Sequence, residues 1–393
     1  MMNTRPLTAK ESQNLAILNA AGIESVPLFL TATGYNKSIC DATDSMRAFL
    51  LKHSFHDYST QRQGQDNKAI RQIQFLTEEG MRFMDMALYR PMTKQGDPRF
   101  WVHGWKSFIG ADSVLAFFYD SGSLCVVNIS SVNLAAPAVS AYLRRHAEQA
   151  ARISVELLTK LRALAGTPLP ATCTGDTAIG RAIETALGIP INSSKKPDYK
   201  GIELKSKRSM VSATRNGLFA QVPDFTISPV KTFKDFLNRF GYDHDGRFLL
   251  NCTVSVRKPN SQGLILSLAD MDRFLWENHR QANGDERVFV WKMEKLEERL
   301  QEKHRETFWI TADSTKDNSD RECFSIRSVT HTCNPNVPQF SRLLGDGSIT
   351  VDHMIKQLPS GAVKERGPQF KINPVKLPEL FLGEPKSHNL RER

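Results

Sequence analysis

The stretch "PAVSAYLRRHAEQAARISVELLTKLRALAG", Pro137 to Gly166, constrains this chain more than any other. Val139, Leu143, Ala147, Ala150, Leu157, Leu161 and Leu164 recur at helical spacing, and Gly166 stands where a left-handed residue ends such a helix. Directly after it, "GTPLPATCTGD" combines two prolines with small residues, the strongest linker signal in the sequence. Upstream, residues 17–130 read as short strands and turns, with "SVPLFL", "SVLAFFY" and "LCVVNIS" as strand candidates. Downstream, a helix ("DTAIGRAIETALGI"), strands ("YKGIELKS", "RFLLNCTVSV") and a second amphipathic helix ("WKMEKLEERLQEKH") follow one another. A chain of 393 residues exceeds what one core organises. The expectation is therefore two domains: residues 1–165, a β-rich module ending in a linking helix, and residues 166–393, a mixed α/β domain.

The formal net charge of +10 argues against an enzyme of small neutral metabolites and for a nucleic acid or an anionic surface. It is shared, +4 before Pro168 and +6 after it, which favours folded basic surfaces over a disordered basic arm. Six cysteines lie far apart, with neither a CxxC pair nor zinc-finger spacing, and read as reduced thiols of a cytoplasmic protein. No signal-peptide pattern and no apolar run of about 20 residues is present, so no membrane attachment is expected.

The chemistry-bearing stretch is "KKPDYKGIELKSKR", Lys195 to Arg208. Strand alternation sends Ile202 and Leu204 to one face and leaves Glu203 and Lys205 on the other, with Asp198 brought back across the turn-forming "YKG". In the preceding helix, Ile179, Ile183 and Leu187 form the buried stripe, and Glu184 sits beside it, four residues after Gly180. Three acids and a lysine converging there fit Mg²⁺-dependent phosphodiester hydrolysis. Asp198 and Glu203 would hold the metal, Lys205 would orient the attacking water and shield the phosphate, and Glu184 would hold a second metal or a water. Mutual neutralisation on a solvated strand face is the competing reading of the same residues. Cys173 has no histidine near it in sequence and reads as a packing thiol.

The segment "TGDTAIGRAIETALGIPINSSKKPDYKGIELKSKR" resembles the start of the MvaI/BcnI restriction endonucleases, relatives of the mismatch-repair nicking enzyme MutH in the PD-(D/E)xK nuclease superfamily. The likeness continues collinearly through "GYDHDGRFLLNCTVSV" and "WKMEKLEERLQEKHRETFWI" to "GPQFKINPVKLPELF", about residues 170 to 382. The resemblance implies a PD-(D/E)xK fold and a type II restriction endonuclease. It carries Glu184 onto the family's helix acid, Asp198 and Glu203 onto its metal-binding acids, and Lys205 onto its catalytic lysine. It also implies double-stranded DNA as substrate, Mg²⁺ as cofactor, a monomer, a companion DNA methyltransferase and a C/G-rich target such as CCWGG. The family's late loop often has His before its glycine, whereas "KERGPQF" has Arg366 here, so that histidine's role does not transfer. Arg366, Lys371, Asp352, His353, Arg215 and Asn216 are the expected DNA contacts of this domain, Arg366 as a guanine reader or a phosphate clamp.

In the first half, "KHSFHDYSTQRQGQDNKAIR" and "LYRPMTKQGDPRFWVHGWK" mix basic, amide and aromatic residues suited to base edges and phosphates. A β-rich module with two such arms is similar to the B3-like DNA-binding domains of the EcoRII effector and UbaLAI type. Arg62, Gln65, Asn67, Lys68, Arg90, Lys94 and Arg99 are its expected DNA contacts, and Trp101 and Trp105 its core anchors. A MutH-like nicking repair endonuclease and a non-catalytic DNA reader remain the alternative functions.

Overall fold

The computed structural model describes residues 5, 7–190, 197–209, 215–269 and 273–391, without the side chain of Lys94; Lys195 and Lys196 lie outside the described residues. The chain divides into two compact units, Met1–Ile153 and Ser154–Arg393, so the division falls inside the long helix rather than after it. All six cysteines are free thiols. Among the described residues no helix is long and apolar enough to cross a membrane.

The first unit contains α1 (Ala9–Ala20), β1 (Ser25–Phe29), α2 (Ala32–Lys37), β2 (Cys40–Asp41), α3 (Asp44–Lys52), β3 (Ala69–Thr77), β4 (Gly80–Tyr89), β5 (Arg99–Val102), β6 (Val114–Asp120) and β7 (Ser123–Asn128). Helix α4 (Pro137–Ala165) begins here and has the bounds its periodicity predicts. Among the described residues the strands form one seven-stranded sheet in the order β1-β6-β7-β3-β4-β5-β2, antiparallel except for the β3–β7 pair. Strand β6 is buried on both faces. Phe117 packs with Phe75, Phe100 and Trp105, while Phe118 packs with Leu18 of α1 and Val139 and Leu143 of α4. That is why "SVLAFFY" is an unbroken apolar run rather than an alternating one. Helices α2 and α3 interrupt the expected strand-and-turn texture. The side chains of Thr31 and Thr43 accept hydrogen bonds from the backbone N–H of Gly34 and Met46 and start these helices.

The second unit holds β8 (Leu169–Pro170), α5 (Ala178–Ala186), β9 (Glu203–Arg208), β10 (Asn216–Ala220), α6 (Phe233–Phe240), β11 (Tyr242–His244), β12 (Arg247–Val254), β13 (Leu264–Ala269), β14 (Phe274–Gln281) and β15 (Gly284–Lys292). It continues with α7 (Met293–His304), β16 (Glu306–Lys316), β17 (Glu322–Cys333), α8 (Val337–Gly345), β18 (Ile349–Gln357), β19 (Val363–Glu365), β20 (Gln369–Ile372) and β21 (Lys386–Asn389). One sheet runs β21-β17-β16-β9, a second β10-β20-β18-β12-β11 with β19 on β18, and a third β13-β14-β15. Phe236, Phe289, Trp291, Leu296, Leu300, Phe340 and Phe370 form the shared core. This is the expected mixed α/β architecture. The proline-rich linker is less free than its composition predicts: Leu169 and Pro170 pair with Phe324 and Cys323 of β17, and Leu169 is buried.

Candidate active site

Strand β9 lies at the edge of its sheet and runs parallel to β16, with Glu203 opposite Thr307 and Lys205 opposite Trp309. A tight turn precedes it. Tyr199 and Ile202 exchange backbone hydrogen bonds of 2.9 and 2.8 Å across Lys200 and Gly201, both at positive φ (46° and 94°), the conformation of a two-residue hairpin. Glu156 of α4 holds this turn, accepting from Tyr199 Oη at 2.7 Å and from Lys200 Nζ at 2.7 and 2.9 Å. The turn swings Asp198 back over the strand, where its Oδ2 accepts the Leu204 N–H at 2.9 Å.

Helix α5 supplies the opposite wall. Ala178, Ile179, Ala182 and Ile183 are buried, and Gly188 at φ 75° closes the helix. Gly180 carries no side chain, so Ser206 Oγ comes within 3.3 Å of where a Cβ would stand. Between helix and strand lies a cavity of about 320 Å³ lined by Thr177, Arg181 and Glu184 on one side and Lys205 and Ser206 on the other.

Glu203 is only 2% exposed, so its carboxylate is covered, while Lys205 on the same face keeps a side chain 31% exposed. Lys205 Nζ donates to its Oε1 at 2.7 Å, and Lys303 Nζ, from the last turn of α7, donates to Oε2 at 3.0 Å. Burial alone would raise the Glu203 carboxyl, but Lys205 and then Lys303 outweigh it and hold it below the ordinary carboxylate range. Asp198 goes the other way, raised by burial and then by the Glu203 charge. Glu184 is raised likewise, by burial and then by Asp198 and Glu203, with Lys205 and Arg181 opposing. Among the described residues no three His, Cys, Asp or Glu side chains converge tightly enough for a protein-only metal cage. The donor set still fits Mg²⁺, which takes hard oxygens from one or two carboxylates and completes its shell with water and substrate phosphate. Acids that raise one another are acids that a cation would relieve.

Sequence reasoning missed Lys303. It belongs to a surface-like helix one hundred residues from Glu203, and its neighbour His304 is fully buried between Thr307 Oγ1 and the Leu218 carbonyl. No local pattern marks such a lysine.

The remaining expected contacts separate. Arg215, Asp352 and Lys371 come together: Arg215 binds Asp352 at 2.8 and 3.1 Å, Lys371 binds it at 2.9 Å, and Thr253 donates to it at 2.8 Å. His353 does not join them. It faces the core, 1% exposed, bonded to the fully buried Glu277 at 2.9 Å, because the alternation of β18 sends 352 and 353 to opposite faces. His353 is thus turned away from the Arg215–Asp352–Lys371 group with which the sequence pattern places it. Asn216 opens β10 and accepts from Lys207 at 3.4 Å, and Arg366 is exposed.

In the first unit, Arg62, Gln65, Asn67 and Lys68 are exposed, with Asn67 donating to the Gln63 carbonyl at 2.8 Å. Arg90 is committed to the fold. It donates to the carbonyls of Gly96 at 2.8 Å and Gln61 at 3.2 Å and so ties the two expected arms into one loop cluster. Arg99 is also inward, its side chain 12% exposed and facing Asp41 at 3.4 Å. Trp105 is fully buried and Trp101 is 9% exposed, as core anchors are.

No curated protein matches this chain. Among solved structures it is similar to the restriction endonuclease MvaI in complex with its cognate DNA substrate, at 22% identity and a TM-score of 0.52, over 60% of this chain and 96% of that one. The structure of MvaI without DNA matches at 22% identity and a TM-score of 0.35, over 58% and 96%. The likeness to the DNA complex is one of fold. The family model of the MvaI/BcnI restriction endonucleases matches residues 158–381, more than half of the chain and all four residues around the Glu203 carboxylate, and the protein belongs to that family.

Proposed function

We propose that the protein is a Mg²⁺-dependent type II restriction endonuclease that hydrolyses double-stranded DNA at a specific site. The observation that carries this reading is the buried Glu203 carboxylate held between Lys205 and Lys303, with Asp198 and Glu184 at its side. Bound Mg²⁺ would be held by Asp198 and Glu203 and would supply an acidified water and neutralise charge on the phosphate. Lys303 keeps Glu203 ionised and fixed on Oε2, so that only the contact of Lys205 with Oε1 has to give way for the carboxylate to serve as a ligand. Lys205, with a side chain 31% exposed to the cavity side, is placed to release Glu203 and orient the attacking water. Glu184 accepts a proton from that water or positions it.

Arg366, Lys371 and Asn216 are assigned to DNA contact in the catalytic unit. Arg62, Gln65, Asn67 and Lys68, with Lys94, are assigned to DNA contact in the first unit, which we take as a B3-like DNA-binding domain. Asp352 holds Arg215 and Lys371 in place. The MvaI structure that resembles this fold contains cognate DNA, which supports a duplex substrate. A monomer acting in the cytoplasm beside a companion DNA methyltransferase completes the reading, with CCWGG the first target to test. The test is incubation with unmethylated phage DNA in Mg²⁺ beside Asp198→Ala, read by gel and end-sequencing. Discrete fragments from the parent alone are expected; equal cutting by Asp198→Ala would refute the site, and intact DNA with both would refute the activity.

A further inference from the structure

Among the described residues, the cations crowded around strand β9 are nearly all matched by acids of the protein itself. Lys205 and Lys303 share Glu203, Arg208 pairs with Glu322 at 2.7 Å, Lys200 with Glu156 at 2.7 Å, and Arg215 and Lys371 with Asp352. Arg181 shares the cavity wall with Glu184 and opposes the rise of its carboxyl. Lys207 differs. Among the described residues no carboxylate lies within ion-pair distance of it, and its hydrogen-bond acceptor is the neutral Asn216 Oδ1, at a long 3.4 Å. It is also half-buried, and burial is what pulls its ammonium below the ordinary lysine range.

A half-buried ammonium with one weak neutral acceptor is costly to a fold, and the cost is offset when an anion arrives from outside. The position of Lys207 says which anion. Glu203, Lys205 and Lys207 share one face of β9 by strand alternation, and a two-residue step along a strand is about 6.6 Å. That step is of the same order as the spacing of adjacent phosphates along an extended nucleic-acid strand. We propose that Lys207 is the contact for the backbone phosphate next to the scissile one, so that the strand presents Lys205 and Lys207 to two consecutive phosphates.

The proposal rests on the nuclease reading and is tested by binding rather than by cutting. The probe is a short duplex from unmethylated phage DNA, spanning a cleavage point mapped with the parent protein, with Mg²⁺ omitted. Affinity is measured against salt for the parent, Lys207→Met and Lys207→Arg. Loss of one phosphate contact lowers the slope of log K against log salt by about 0.9, so a fourfold rise in salt costs Lys207→Met about 3.5-fold less affinity than it costs the parent. Lys207→Arg keeps the parental slope. Because the methionine variant removes an unmatched charge, its Tm is equal to or above the parental one. An unchanged slope in Lys207→Met overturns the proposal, and a lower Tm beside that unchanged slope assigns Lys207 to packing. A parent protein with no salt-dependent retention of the duplex overturns the nuclease reading itself.

Discussion

Lys303→Met isolates the one part of the site that local sequence does not announce. The side chain is 11% exposed and its ammonium meets Glu203 Oε2 at 3.0 Å, so methionine keeps the packed stem and deletes the charge. A hydrogen bond to a buried charged group contributes about 1.5–3 kcal/mol, and here Lys205 stays on the other oxygen, so the loss belongs near the lower half of that range. About 2 kcal/mol corresponds to a fall in Tm of roughly 4–8 °C for a unit of this size. The pH dependence follows from the lowered Glu203 carboxyl. A group with a depressed folded value stabilises above its unfolded value and loses that contribution as pH falls through the folded one. The gap between parent and Lys303→Met is therefore widest near neutrality and closes in acid, where Glu203 is protonated in both. Thermal unfolding of the parent, Lys303→Met, Glu203→Gln and the double variant across pH gives the coupling between the two residues. A gap that stays constant from neutral to acidic pH, or a coupling of zero near neutrality, would refute the reasoning.

Asp198 and Glu184 are raised above ordinary carboxylates, and a metal site needs them ionised, so DNA cleavage rises with pH along an acidic limb above the usual carboxylate range. More Mg²⁺ moves the part of that limb set by Asp198 to lower pH by competing with protons; a limb indifferent to Mg²⁺ concentration counts against Asp198 as a ligand. Glu277→Ala leaves the buried His353 ring nitrogen without its hydrogen-bond partner and destabilises by about 1–3 kcal/mol in urea unfolding, whereas His353→Gln leaves duplex affinity per folded molecule unchanged. A selective loss of affinity in His353→Gln would reinstate it as a DNA contact. Gly201→Ala forces a side chain onto a residue at φ 94° with Arg305 Nη2 only 2.9 Å from the new carbon, and costs about 1–2 kcal/mol. Because that turn aims Asp198, cleavage falls by more than the stability loss explains; cleavage that merely tracks the folded fraction refutes this coupling.

What the sequence by itself determined was local. The stripe of Ile179 and Ile183, the "YKG" turn and the alternation from Ile202 to Lys205 place Glu184, Asp198, Glu203 and Lys205 within one helix, one turn and one strand. The bounds of α4 were legible for the same reason, since periodicity and caps depend on neighbours within a few residues. Tertiary structure decided whatever depends on which strand lies beside which. Lys303 reaches Glu203 because α7 packs against β10 and β16, a hundred residues away from β9 in the chain. Asp352 and His353 are equally polar in sequence, yet the pairing of β18 with β12 and β20 brought a threonine and a lysine to one, beside Arg215, while the other met the buried Glu277 of β14. Arg90 and Arg99 look like DNA contacts until loop closure turns them inward onto carbonyls and Asp41. A charged side chain carries no local mark of its partner, because the partner is chosen by long-range packing, and burial then makes that choice energetically decisive.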